Sequence, residues 1–430
     1  MMKKFRLVAI LIVFSMTLCS CKSGKEPVSP ASTFSSTEST VSTESLVSTE
    51  SSVSTETSAS VEVSVSASTE TSVEVSIPVD NTPIEISEDC TSVEFAKALK
   101  LGWNLGNTLD ALGKSGVDSE KAWGQPLTTP EIIQFVKASG FTTIRIPVTW
   151  GQHTSGDNYE IMPEWMDRVE EVVNYALDAN LYVIINSHHD NSYYYPSEEN
   201  LDNALKYVEC VWAQVAERFK DYDERLIFES LNEPRLEGTA IEWWFPENDP
   251  EGIACIKRIN QLNQVFVDTV RAAGGYNESR FLLVPSAMAS PENALNSNFV
   301  VPTDPAERIM ISIHAYTPYD FTMNKNGYDR WTDDRKGELN FLSSLNLGFI
   351  KKGYGVVITE MGATNKDNLK ERVKWAKEYT RKADAFGISC IWWDNGGTAV
   401  GEENFGLLNR RNLTVSFPEI LECMTNNYNN

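Results

Sequence analysis

Eight short β-branched or apolar runs alternate with longer amphipathic stretches along most of this chain, and that alternation limits the folds open to it more than any other feature. The runs are Leu101–Gly106, Thr142–Val148, Leu181–His188, Leu226–Asn232, Phe281–Ser286, Ile309–Tyr316, Val356–Glu360 and Ile388–Trp393. Between them lie helix patterns such as Pro130–Ser139, with Thr129 as cap and Pro130 at the first helical position, and Pro163–Ala179, where Trp165, Val169, Val172 and Ala176 recur at helical spacing. Strand, helix, strand without hairpins implies parallel strands. No GxGxxG or GxxxxGK phosphate turn follows any run, so a (β/α)8 TIM barrel fits better than a doubly wound nucleotide-binding sheet.

The first part of the chain reads differently. Lys3, Lys4 and Arg6 precede an apolar run from Leu7 to Leu18, too short to span a bilayer, as in an export signal. Leu18-Cys19-Ser20-Cys21 resembles a bacterial lipobox with Cys21 as the lipidated residue; an ordinary cleaved signal peptide is the alternative. From Val28 to Ser76 the composition is Ser, Thr, Val and Glu with a six-residue period marked by Glu38, Glu44, Glu50, Glu56 and Glu62. Too few positions are apolar for stacked turns to bury a core, so the stretch is expected to be a disordered tether, extended by its own negative charge. The expected organisation is a lipoprotein signal peptide at 1–20, a tether at 21–83 and a catalytic barrel at 84–430.

Composition narrows the partners. The formal charge is −23, from 60 acidic and 37 basic residues, which argues against nucleic acid. Seven Cys lack zinc-site spacing, and whether those beyond Cys21 pair is open from sequence.

In a barrel of this kind chemistry sits where strands end. Strand two carries Arg145; strand three ends Asn-Ser-His-His-Asp, strand four Asn-Glu-Pro, strand six His-Ala-Tyr-Thr-Pro, strand seven Thr-Glu-Met-Gly and strand eight Trp-Trp-Asp-Asn-Gly. Three of the four His in the chain, His188, His189 and His314, fall there. Glu233 after strand four and Glu360 at the end of strand seven face one mouth, and such a pair suits glycoside hydrolysis: one carboxyl protonates the leaving oxygen, the other attacks or activates water. Ordinary salt bridging explains either Glu alone; Arg145, Asn232 and Tyr316 nearby favour the catalytic reading. His188 and His189 could ligate a metal, but no third ligand at metal spacing follows, and hydrogen bonding to sugar hydroxyls accounts for them.

Taken in order, LGWNLGNTLDA, IRIPVTW, the His-His pair, LNEP, HAYTPY, ITEMGA and WWDNG resemble glycoside hydrolase family 5, most closely the subfamily 4 endo-β-1,4-glucanases, over about residues 90–425. The resemblance implies a retaining β-glycanase without cofactor or metal. Carried over by position, it makes Glu233 the acid/base and Glu360 the nucleophile. Asn232 would bond the sugar 2-hydroxyl, and Arg145 and Tyr316 would hold Glu360 ionised. His188, His189 and His314 would complete the polar shell. Trp393, preferred to Trp392 because Asp394-Asn395 follows it, would lie under the sugar, with Asn107 and Asn395 as further contacts.

Trp123, Trp150, Tyr193 to Tyr195, Trp243, Trp244, Tyr319 and Trp331 are candidates for outer sugar platforms, with core packing the alternative for each; Trp165, Trp212 and Trp375 read as packing. The expectation is therefore an exported, monomeric, surface or outer-membrane lipoprotein, otherwise secreted, that cleaves internal β-1,4 bonds of β-glucan polysaccharide and meets the membrane through an N-terminal lipid anchor. The alternatives are the same machinery acting on xyloglucan, mixed-linkage glucan, xylan or mannan, or a non-catalytic glycan-binding lipoprotein.

Overall fold

The structure is a computed structural model that describes residues 64–66, 72–74, 84 and 86–428. The export signal, Cys21 and most of the stretch read as a tether lie outside the described residues.

All eight runs form strands, seven of them shorter than the run and the seventh in order, Gly355–Met361, one residue longer at each end. We number them β1 Leu101–Asn104, β2 Thr143–Ile146, β3 Tyr182–Asn186, β4 Leu226–Glu229, β5 Leu282–Pro285, β6 Ile309–His314, β7 Gly355–Met361 and β8 Ser389–Trp392. They pair in parallel and close into one barrel, β8 returning to β1 through Cys390 opposite Leu101. Most runs overreach at their C-terminal ends because those residues leave the ladder to frame the mouth. The helices Pro130–Ala138 and Pro163–Asp178 form where caps and periodicity predict, with the Thr129 hydroxyl accepting from the Ile132 amide. Trp165, Trp212 and Trp375 are buried between helices and barrel.

The barrel interior is layered from apolar to polar, because side chains two apart on a strand point the same way. The lower floor holds Tyr182 and Phe281, sealed by Phe95 stacked 3.8 Å from Phe281. Phe95 belongs to the helix Ser92–Ala98, which Thr91 and Glu94 start with a reciprocal capping box. Above it, Ile184, Ile227, Leu283, Met310, Val357 and Ile391 form an apolar cluster. One more step up six of the eight strands brings Asn104, Arg145, Asn186, Glu229, Ser312 and Thr359, all buried and all polar. The change from apolar to polar inside a closed barrel marks the floor of the site.

Two short strands fall within the stretch read as a tether. Ser64–Ser66 pairs antiparallel with Ser72–Glu74 and in parallel with Thr414–Val415, which itself pairs with Leu408–Asn409. Cys90, Cys210, Cys255, Cys390 and Cys423 are all unpaired, which answers the question the sequence left open for them.

Candidate active site

Arg145 organises the floor of the mouth. Its guanidinium donates from Nε to Glu229 at 2.7 Å, from Nη1 to Glu360 at 2.7 Å and to Asn104 at 2.9 Å, and from Nη2 to the Asn232 side-chain oxygen at 2.9 Å. Burial opposes its charge, yet Glu229 and Glu360 raise its pKa further above the arginine range. Glu229 also accepts from the Ser312 hydroxyl at 2.5 Å, and Ser312 meets Thr359 at 2.6 Å. Because Asn232 accepts from Arg145 through its oxygen, its amide nitrogen is turned away from the guanidinium and can donate elsewhere.

Glu360 lies within β7, where the ladders to both neighbours shift register: the ladder to β6 slips between Ile313 and His314 of β6, and the ladder to β8 slips between Ile358 and Met361 of β7 itself. Such bulges re-aim side chains. One Glu360 oxygen takes the Arg145 bond and the other accepts from the Tyr316 hydroxyl at 2.9 Å. His314, last residue of β6, sits between the two carboxylates, with Nδ1 at 2.8 Å from Glu233 and 3.5 Å from Glu360.

The three groups share protons. Burial lowers the His314 pKa, but Glu360 and Glu233 together carry it above its ordinary value. Burial raises Glu233, but the hydrogen bond and charge of His314, together with the charges of Arg235 and His189, outweigh it, so Glu233 lies below the usual carboxylate value. Glu360 is raised by burial, a rise only partly countered by His314 and Arg145. Through Nδ1 of His314, 2.8 Å from Glu233 and 3.5 Å from Glu360, the three groups form one coupled cluster in which a proton on His314 is one transfer away from Glu233. Exposure separates the carboxyls: 19% of the Glu233 side chain is open against 6% for Glu360.

The remaining predicted residues spread around the rim. His188 is buried and receives a contact from Asn186 through Nδ1 at 3.1 Å; burial, with His189 and Arg145 nearby, keeps it neutral. Its ring lies parallel to Trp393 at 5.6 Å. Trp392 instead points outward, fully buried, donating to the Phe405 carbonyl at 2.7 Å, while Trp393 is partly exposed at the mouth. Gly106 is required beneath it, since a Cβ there would stand 2.9 Å from the Asp394 carbonyl and 3.0 Å from the Trp393 ring. His189 is a third exposed, with Nε2 3.7 Å from the buried Asp110 carboxylate and Trp123 tilted over it at 5.3 Å.

Two predicted contacts sit apart from this cluster's hydrogen bonds. Asn107 is partly exposed in a left-handed turn at φ 60°, its amide held by Asp110 at 3.1 Å. Asn395 uses its side chain within its own loop, donating to the Glu403 carbonyl at 2.6 Å and accepting from the Gly397 and Phe405 amides. Among the aromatic candidates, Trp150, Tyr194 and Trp331 are core, whereas Trp123, Trp243, Trp244 and Tyr319 are exposed.

Sequence reading missed Glu229, Asn104, Ser312 and Thr359. A signal was present: each stands two residues beyond an inward-facing position, as Glu229 does beyond Ile227, so strand alternation places it inside the barrel. Among the described residues, two groups have metal-capable atoms within 4.8 Å of one another, Asp110/His188/His189 and Glu233/His314/Glu360. In the second, both Glu360 oxygens and one Glu233 oxygen already accept hydrogen bonds from protein groups.

The family model described as Cellulase (glycosyl hydrolase family 5) matches residues 106–399. Endoglucanase A of Ruminococcus albus is 45% identical over 347 residues, covering 79% of this chain and 93% of that protein. A broad-specificity GH5-4 endoglucanase from Ruminococcus champanellensis, solved with cellotriose, is 42% identical at a TM-score of 0.75, covering 78% of this chain and 99% of its own. A family 5 lichenase variant from Caldicellulosiruptor sp. F32, solved with cellotetraose, is 44% identical at a TM-score of 0.75, covering 80% and 98%. With an eight-stranded parallel barrel and a two-carboxylate mouth at the strand ends, this chain belongs to glycosyl hydrolase family 5, the cellulase family.

Proposed function

We propose that this glycoside hydrolase is a retaining endo-β-1,4-glucanase in which Glu360 is the nucleophile and Glu233 the acid/base. The observation that carries the reading is the contrast between two facing carboxyls. Glu360 is nearly buried, which works against its charge, but donors from Arg145 and Tyr316 at its two oxygens stabilise the carboxylate form and aim it at one point. Glu233 is partly open and hydrogen-bonded to a protonatable His314, which suits a group that gives and takes a proton. One oxygen of each lies within 4.8 Å of the other, a closer approach than the separation that inverting enzymes keep for their water and in keeping with the pairing of retaining ones.

A Glu360 oxygen attacks the anomeric carbon and forms a glycosyl ester, while the C–O bond to the leaving sugar breaks and Glu233 gives that oxygen its proton. Water then attacks the same carbon, Glu233 takes the water's proton, and the ester bond breaks. Asn232 donates to the sugar 2-hydroxyl; His188, His189, Asn107 and Asn395 are the further polar contacts. Trp393 lies beneath the reacting sugar, and Trp123, Trp243 and Trp244 offer platforms for a longer chain. Mixed-linkage glucan is the second substrate to weigh, because a 44% identical neighbour is named a lichenase.

Cys21 as a lipid anchor, with the segment after it as spacer, would hold the enzyme at the cell surface; the charge pattern and lipobox-like Leu18–Cys21 support this part. Product analysis over barley β-glucan, carboxymethylcellulose, xyloglucan, xylan and mannan, with proton NMR of the first products, tests the catalytic part of the reading. It expects a fast fall in viscosity on β-1,4-containing glucans and β-anomers formed first. First-formed α-anomers would overturn the mechanism, and activity confined to xylan or mannan would overturn the substrate.

A further inference from the structure

Two residues beyond Glu233 stands an arginine that no reading above has used. Arg235 donates from Nη1 to the Glu233 carbonyl at 3.1 Å, and the same nitrogen lies 3.9 Å from the Glu233 carboxylate. Its Nε donates to Glu242 at 3.2 Å, and its guanidinium carbon stands 4.1 Å from the ring centroid of Trp243. The Arg235 side chain is only 12% exposed, whereas Trp243 remains 57% exposed. One guanidinium thus links the backbone and carboxylate of Glu233 to an open indole. Glu242 also accepts from the Gly238 amide at 2.9 Å, and the β3 loop grips Glu237 through Asn191 at 3.3 Å and Tyr195 at 3.2 Å, so the loop around Arg235 is tied down on both sides.

We propose that Arg235 is a positioning residue for proton transfer: it locks Glu233 and Trp243 into one unit, so that the departing sugar is held on the indole with its glycosidic oxygen in reach of the proton donor. This rests on the assignment of Glu233 as acid/base. The reasoning is geometric. A proton donor stands on the leaving-group side of the bond it breaks, and Trp243 is one guanidinium away from that donor. A planar guanidinium stacks on the indole while keeping its in-plane donors for Glu233 and Glu242, which a lysine ammonium cannot do. Its charge also draws the Glu233 carboxyl toward the ionised form, so removing it makes Glu233 a weaker acid, which keeps its proton to higher pH.

The test compares kcat/KM on cellotetraose, whose leaving group is a sugar that needs protonation, with 2,4-dinitrophenyl β-cellobioside, which needs neither a proton nor a sugar platform. Arg235→Met should lose about ten-fold or more on cellotetraose and far less on the aryl glycoside, and the basic limb of its pH profile should move upward. Arg235→Lys should leave that limb in place without restoring the cellotetraose rate. Trp243→Ala should lower the cellotetraose rate without moving the limb. Equal losses on both substrates with an unmoved limb, in a variant whose melting curve shows it folded, would overturn the proposal. Glu233→Ala on the same two substrates keeps the cases apart: equal losses there would remove the acid/base assignment, whereas a clear split there with none for Arg235→Met would remove only the role of Arg235.

Discussion

Replacing Glu229 by Gln changes one atom in the floor of the site and should damage both stability and catalysis. Glu229 and Arg145 are fully buried and 2.7 Å apart, which corresponds to about 6 kcal/mol of gross attraction at an effective dielectric of about 20, largely offset by the cost of taking both ions from water. Losing one partner leaves the other charge uncompensated, typically about 3–5 kcal/mol. Arg145 keeps Glu360, so the lower end, about 3 kcal/mol, is expected. The amide also has only one acceptor atom for two donors, the Arg145 Nε–H and the Ser312 hydroxyl, so one of those bonds must break or reverse. For a domain of this size the loss should lower Tm by about 5 °C or more. Arg145 would then have Glu360 as its one carboxylate partner, and a displacement of this proposed nucleophile by a fraction of an ångström should cut kcat by about ten-fold or more with a smaller effect on KM. Differential scanning fluorimetry and steady-state kinetics on soluble β-glucan read both effects. A Tm within about 1 °C of the parent with kcat within about two-fold would refute the claim that this buried pair anchors the site.

Other outcomes follow from separate features. His153 is fully buried against Trp165, stacked at 3.8 Å, and burial pushes its pKa down to about 4, below the ordinary 6.5. The unfolded chain therefore binds a proton that the folded one refuses between those values, so stability falls as pH drops from 6.5 towards 4, by an amount of about 3 kcal/mol. Urea unfolding of His153→Phe across that range should show a flatter dependence than the parent; an unchanged slope would contradict the assignment. Glu233→Ala should retain the first step on activated aryl glycosides, and azide should restore turnover by attacking the glycosyl-enzyme to give a β-glycosyl azide, detectable by mass spectrometry; no azide product would count against its role. Cys21→Ala should move the enzyme from the membrane fraction to the medium, which fractionation and immunoblotting would show, and an unchanged membrane fraction would exclude lipidation there.

How much of this was legible in the sequence differs by layer. The eight strands and the barrel were readable because each strand is a β-branched run set off by a helix of clear periodicity. The residues just past those runs were readable because polar and aromatic side chains at strand ends have few other reasons to concentrate. Glu229 was harder: it precedes the conspicuous Asn232-Glu233-Pro234, and only alternation from Ile227 puts it inside. Arg235 was invisible, since its role depends on a loop folding back to bring Trp243 against it. The aromatics divide for the same reason. Trp150 and Trp123 look alike as loop residues, yet Trp150 folds under to donate to the Asn186 carbonyl at 2.9 Å while Trp123 stays 40% exposed beside His189. Such choices are made by tertiary packing, which period and composition do not encode.

The central claim is the division of labour between the two carboxyls, and covalent trapping tests it most directly. Incubation with 2,4-dinitrophenyl 2-deoxy-2-fluoro-β-cellobioside slows release of the glycosyl-enzyme, and peptide mass mapping then locates the ester. The account predicts one cellobiosyl label per chain, on Glu360. A label on Glu233, or stoichiometric release of dinitrophenol with no covalent adduct, would contradict it.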